Sequence, residues 1–114
     1  MNAVFVELPA CARYRADYLG DEEFRALQNA LLENPTAGDV IEGTSGLRKV
    51  RHADARRGKG KRGGLRVIYY WWRLGSQFWL FTVYDKGTQD DLTTKERAAL
   101  KEMLGVELAA RRKQ

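Results

Sequence analysis

The 114-residue chain has room for one domain around a small core, and its 44% hydrophobic and 31% charged residues exclude global disorder. One cysteine, Cys11, excludes an intrachain disulfide and fits a reducing cytoplasm. The net charge of +5 fits a polyanionic partner and fits simple solubility equally well. Residues 1–8 lack the basic start and long apolar run of a secretory leader, and no run reaches the roughly 18 apolar residues that span a bilayer. A cytoplasmic protein with no membrane partner is expected.

In chain order, residues 3–8 are β-branched and aromatic and predict a strand. Pro9 suits the first turn of a helix running to Leu19 and ended by Gly20. Asp21 is the expected N-cap of a second helix, with Phe24, Leu27 and Leu31 on one apolar stripe and Asn34-Pro35 as its stop. The two helices are expected to form a hairpin. Residues 35–46 read as a connector with Val40 and Ile41 tucked inward. Residues 47–51 predict a short strand, and 53–64 a basic, glycine-rich loop. Leu65 to Trp72 and Phe78 to Tyr84 predict two strands joined at Gly75-Ser76. Alternation should turn one of Trp71 and Trp72 away from the core. Thr93 and Glu96 have the spacing of a capping box, ahead of a helix lined by Leu100, Met103, Leu104 and Leu108. Gly105 is expected to break or bend this helix, leaving 105–114 as a frayed tail. The order is β-α-α-β-β-β-α in a single domain, 1–114. It predicts an α+β fold with an antiparallel sheet and helices packed on one face.

The charge is not spread evenly. Residues 47–66 hold nine lysines and arginines against one aspartate, a local +8 that leaves −3 on the rest of the chain. Such segregation suits a phosphate-binding face. If Val50 packs inward, Lys49 and Arg51 share the other face of their strand. An antiparallel neighbour would then bring Arg66 beside them, and Lys86 could close the group. No CxxC, histidine cluster or acidic pair has ligand spacing, so neither a metal nor another cofactor is expected. His52, the only histidine, is more simply incidental than a base. The pair Asp90-Asp91 reads as turn and capping chemistry.

Three runs carry a resemblance: residues 43–51 (GTSGLRKVR), 58–70 (GKGKRGGLRVIYY), and 83–86 (VYDK) followed by Asp91-Leu92-Thr93. With Asn34-Pro35 and Gly38-Asp39-Val40-Ile41 they resemble HigB-type toxins of the RelE/ParE superfamily over about residues 3–104. The resemblance implies the RelE-like fold and the toxin of a toxin–antitoxin system. It implies an endoribonuclease, an mRNA interferase that cuts messages in the ribosomal decoding site. The implied partners are mRNA, ribosomal RNA and a cognate antitoxin of the DNA-binding helix-turn-helix kind. By the same resemblance Lys49, Arg51, Arg66 and Lys86 match the family's basic catalytic set. RelE carries a tyrosine in its C-terminal segment, and no tyrosine follows Tyr84 here. Either Tyr84 does that work or the role is absent. Arg48, Lys59, Lys61 and Arg62 are the expected RNA-backbone contacts. Two other classes remain open: a non-catalytic RNA- or ribosome-binding module, and a ParE-like gyrase inhibitor.

Overall fold

The computed structural model describes residues 2–53, 58, 60, 64–87, 89 and 91–112. The chain runs β1 (Val4–Glu7), α1 (Pro9–Tyr18), α2 (Asp21–Glu33), β2 (Asp39–Val40), β3 (Arg48–His52), β4 (Leu65–Trp72), β5 (Gln77–Asp85) and α3 (Thr94–Arg112). The strands form one mixed sheet in the order β1-β5-β4-β3-β2. The meander β3-β4-β5 is antiparallel as expected, and β1 adds to it parallel to β5. The connector expected over 35–46 contains β2, with Asp39 opposite Lys49 and Val40 opposite Arg48.

Strand alternation divides the apolar side chains into two cores. Leu65, Val67 and Tyr69 of β4 join Cys11, Leu19, Leu27 and Leu31 under α1 and α2. Ile68 of β4 joins Trp79 and Phe81 with Leu100 and Leu104 of α3. The expectation of helices on one face is therefore corrected: α1 and α2 cover one face of the sheet and α3 covers the other. The same coverage decides the tryptophans. Trp71 packs with the first core and Trp72 with the second, so neither is turned wholly to water.

Pro9 does open α1. Gly20, in extended conformation, is the N-cap of α2, and Asp21 lies inside the first turn, where it joins Glu22 and Glu23 at the positive end of the dipole. Ile41 is buried, whereas Val40 is 55% exposed because β2 is an edge strand of only two residues. Thr93 and Glu96 form the capping box reciprocally: Glu96 N–H donates to Thr93 Oγ1 at 3.1 Å, and Thr93 N–H to Glu96 Oε1 at 2.8 Å. Gly105 does not interrupt α3, which continues to Arg112. Leu104 and Leu108 on either side hold that turn to the core, so the tail is helical to that point.

One register shift matters more than its size suggests. Ile68 pairs with Thr82 but Tyr69 with Leu80, so Phe81 is an extra residue in β5. Trp79 and Phe81 face α3; unbroken alternation would send Val83 to that side and Tyr84 away from it. The bulge reverses this, placing Val83 with the α1–α2 core and Tyr84 with the α3 core.

Gly38 sets the approach of β2 to β3. Its φ is +84°, and a Cβ there would collide with the Lys49 carbonyl. Gly38→Ala is expected to cost about 2 kcal/mol through left-handed strain and this clash. Urea denaturation would measure it, and a loss near zero would mean that β2 is not held at Lys49.

Candidate functional site

The register assembles the cationic group. Val50 packs against the α1–α2 core, so Lys49 and Arg51 project from the opposite face of β3. Arg51 pairs with Arg66 on β4, and Arg66 pairs in turn with Tyr84 on β5. Lys49 pairs with Ile68, one step along the same face. Like charges directly opposite on neighbouring strands cost roughly 0.2–1 kcal/mol. Arg51 and Arg66 are set in that arrangement. Lys86 follows β5, and its N–H donates to Gly64 O at 3.1 Å, which keeps it at the same end of the sheet.

Arg48 does not join them. It alternates to the other face, and its guanidinium donates to Thr36 O at 3.0 Å and Gly38 O at 3.4 Å. It braces the connector into β2. Tyr69, opposite Arg48, braces the same connector by donating to Ala37 O at 2.7 Å. His52 also lies on the face of Val50, away from Lys49 and Arg51. Lys59, Lys61 and Arg62 lie outside the described residues.

The start of α3 contributes two groups that the sequence reading passed over. Asp91, read as a turn residue, bridges two cations: Oδ1 accepts from Lys49 Nζ at 3.2 Å and Oδ2 from Arg97 Nη2 at 3.1 Å. Its Oδ1 also accepts from the Leu92 N–H at 2.7 Å. That backbone bond, then Lys49 and Arg97, holds the carboxyl below its ordinary value of 3.8. Arg97 stands on the apolar stripe of α3, three residues before Leu100 and seven before Leu104. An arginine on a core stripe is the signal that was available in the sequence.

The site is largely covered. Arg66 is 3% exposed and Tyr84 7%. One Arg66 Nη1 donates to Leu65 O at 3.2 Å. The Tyr84 hydroxyl is buried without a hydrogen-bond partner among the described residues. Burial first, then the negative charge of Asp91, pushes its pKa up to about 12, against the opposing pull of Arg66. At neutral pH Tyr84 is therefore a phenol that can donate a proton or hydrogen bond, and a poor base. Arg51 is exposed, so the group opens to solvent at the β3 side. Among the described residues no three His, Cys, Asp or Glu side chains are grouped to hold a metal ion. No helix of the described residues is long and apolar enough to cross a membrane.

No protein-family profile matches the chain. Among solved structures the chain is similar to a mutant of the E. coli toxin RelE in the free state. The TM-score is 0.50 and the identity 16%, over 79% of this chain and 90% of that one. At that identity the likeness establishes a RelE-like α+β fold.

Two outcomes test the geometry. Tyr84→Phe removes a buried hydroxyl that has no partner among the described residues, so stability should stay level or rise by about 1 kcal/mol. A clear loss in urea denaturation would mean the hydroxyl is bonded. Asp91, with its folded pKa depressed, contributes stability above the ordinary value of 3.8 that disappears as pH falls through the lower folded value. The stability gap between the native chain and Asp91→Asn should therefore close on acidification. A gap independent of pH would sink the bridge.

Proposed function

We propose that the chain is a cytoplasmic toxin of the RelE superfamily, HigB-like, that cleaves mRNA on the ribosome and is neutralised by a cognate antitoxin. The observation that carries this reading is the shared face of Lys49, Arg51, Arg66 and Tyr84, set in adjacent register at one end of the sheet. Cations gathered on one face, beside a phenol kept protonated, suit a phosphodiester in which negative charge builds up.

In this reading the 2′-hydroxyl of one nucleotide attacks the adjacent phosphorus. The new bond is 2′-O to phosphorus, and the bond that breaks joins phosphorus to the 5′ oxygen. Lys49 and Arg51 stabilise the forming alkoxide, whose proton passes to water. Arg66 holds the nonbridging oxygens, where a planar guanidinium can bond twice. Tyr84 donates a hydrogen bond to the same oxygens, and Lys86 supplies the proton taken up by the leaving 5′ oxygen. The products are a 2′,3′-cyclic phosphate and a 5′-hydroxyl. Asp91 already engages Lys49, so the incoming phosphate takes the place of its carboxylate. Lys59, Lys61 and Arg62 add RNA-backbone contacts by charge alone.

Removing one preorganised charge typically costs about 10²–10³ in rate. Arg51→Ala, at an exposed position, and Arg66→Lys, which keeps charge and most of the volume at a buried one, separate chemistry from folding. Induced expression of the native chain should arrest growth and create 5′-hydroxyl ends inside translated frames. Arg51→Ala and Arg66→Lys should each lose most of those ends while remaining folded. Arrest with intact messages would instead favour a gyrase inhibitor. RNA binding without cleaved messages would leave a binding module.

A further inference from the structure

The other end of the α3 face carries a second arginine in the same unusual setting as Arg97. Arg66, Ile68, Tyr70 and Trp72 alternate onto one face of β4, so Trp72 lies about 20 Å from Arg66 at roughly 3.3 Å per residue. There α3 ends, and Arg111 continues its apolar stripe three residues after Leu108. The Arg111 guanidinium lies 6.0 Å over the Trp72 ring and 5.4 Å over Trp79. Its Nε is buried with no hydrogen-bond partner among the described residues. Its one carboxylate neighbour there, Glu107, is 3.9 Å away from Nη2, which is a loose pair.

Around Arg111 is a groove of about 470 Å³, walled by Trp72, Arg73, Leu74, Leu108 and Arg112. Leu74, at the β4–β5 turn, is 92% exposed, and Arg73 and Arg112 are exposed as well. The Trp72 ring is packed between Trp79, 5.3 Å away, and the turn at Gly75, where a Cβ would strike it. That packing leaves the indole as a rigid wall of the groove. An apolar floor with a rim of arginines is the composition of a protein-binding hot spot. The rim is cationic, so its complement is anionic.

We infer that this groove docks an acidic segment of a partner protein, one that sets carboxylates against Arg73, Arg111 and Arg112 and an apolar side chain against Leu74 and Trp72. The inference does not rest on the nuclease reading, because the groove stands at the opposite end of the sheet from Lys49 and Arg66. The toxin reading supplies a natural candidate for the partner, its antitoxin, but the chemistry stands without it.

The test is selection of random twelve-residue peptides displayed on phage against the full chain, with counter-selection on the double variant Arg73→Glu/Arg112→Glu. Both positions are exposed, so the variant should fold, which circular dichroism checks. The selected peptides should be rich in Asp and Glu around an apolar residue. A synthetic copy should bind at least tenfold more weakly to the double variant and should shift the Trp72 indole N–H resonance. Basic or neutral consensus peptides, or binding insensitive to the variant, would overturn the inference. Displacement of the peptide by an oligouridylate ten nucleotides long, with matching shifts at Trp72, would overturn it in favour of RNA. A dimer of the free chain abolished by the double variant, with no peptide selected, would assign the groove to a second copy. Intact growth arrest by the double variant would leave the nuclease reading untouched, so the two proposals can fail separately.

Discussion

Strands β4 and β5 are buried on both faces, and most of the molecule follows from that constraint. A strand covered on one side can hide its polar residues on the other. Here the α1–α2 layer takes Leu65, Val67 and Tyr69, and α3 takes Ile68 and Trp79. A charged residue in the middle of such a pair has no solvent to face. Arg66, itself 3% exposed, sits at the end of the sheet, where Arg51, Lys49 and the start of α3 stand. The basic site lies at that end, where Arg66 and Tyr84 stay buried and Arg51 opens to solvent.

The bulge at Phe81 ties Tyr84 to this arrangement. A one-residue slip exchanges the faces of every residue beyond it. The extra residue returns Tyr84 to the Arg66 side, and Phe81 and Thr82 both border the space under α3. The opposite end of the same layer is closed by Arg111 and the Trp72–Trp79 pair. The stripe of α3 thus begins and ends with an arginine, with leucines between, and each arginine meets a different surface.

Much of this was legible where the signal was local. Pro9, the Thr93–Glu96 box and the β-rich runs 65–72 and 78–84 each specify an element through short-range chemistry, and all appear. The parity of Lys49 and Arg51 followed from one residue, Val50. What escaped was non-local. The parallel docking of β1 on β5 has no turn to announce it, yet it completes the sheet. The passage of α3 over the second face depends on packing that spans the chain. The bulge leaves no mark in a run as uniformly β-prone as Gln77–Asp85. Asp91 reads as turn and capping chemistry in the sequence because its partners, Lys49 and Arg97, lie 42 residues before it and six after. Arg48 was assigned with its neighbours by composition, while alternation sends it to the other face.

On the proposed reading, the Lys49–Arg51–Arg66–Tyr84 group cleaves RNA by the substrate's own 2′-hydroxyl. Ribosomes programmed with a short message, either all-ribose or carrying a single 2′-deoxynucleotide at the mapped cut site, test it with purified protein. The ribose message should yield a 5′-hydroxyl fragment and a cyclic phosphate, and the deoxy position should stay uncut. Equal cleavage of both messages, or none of either, would contradict it.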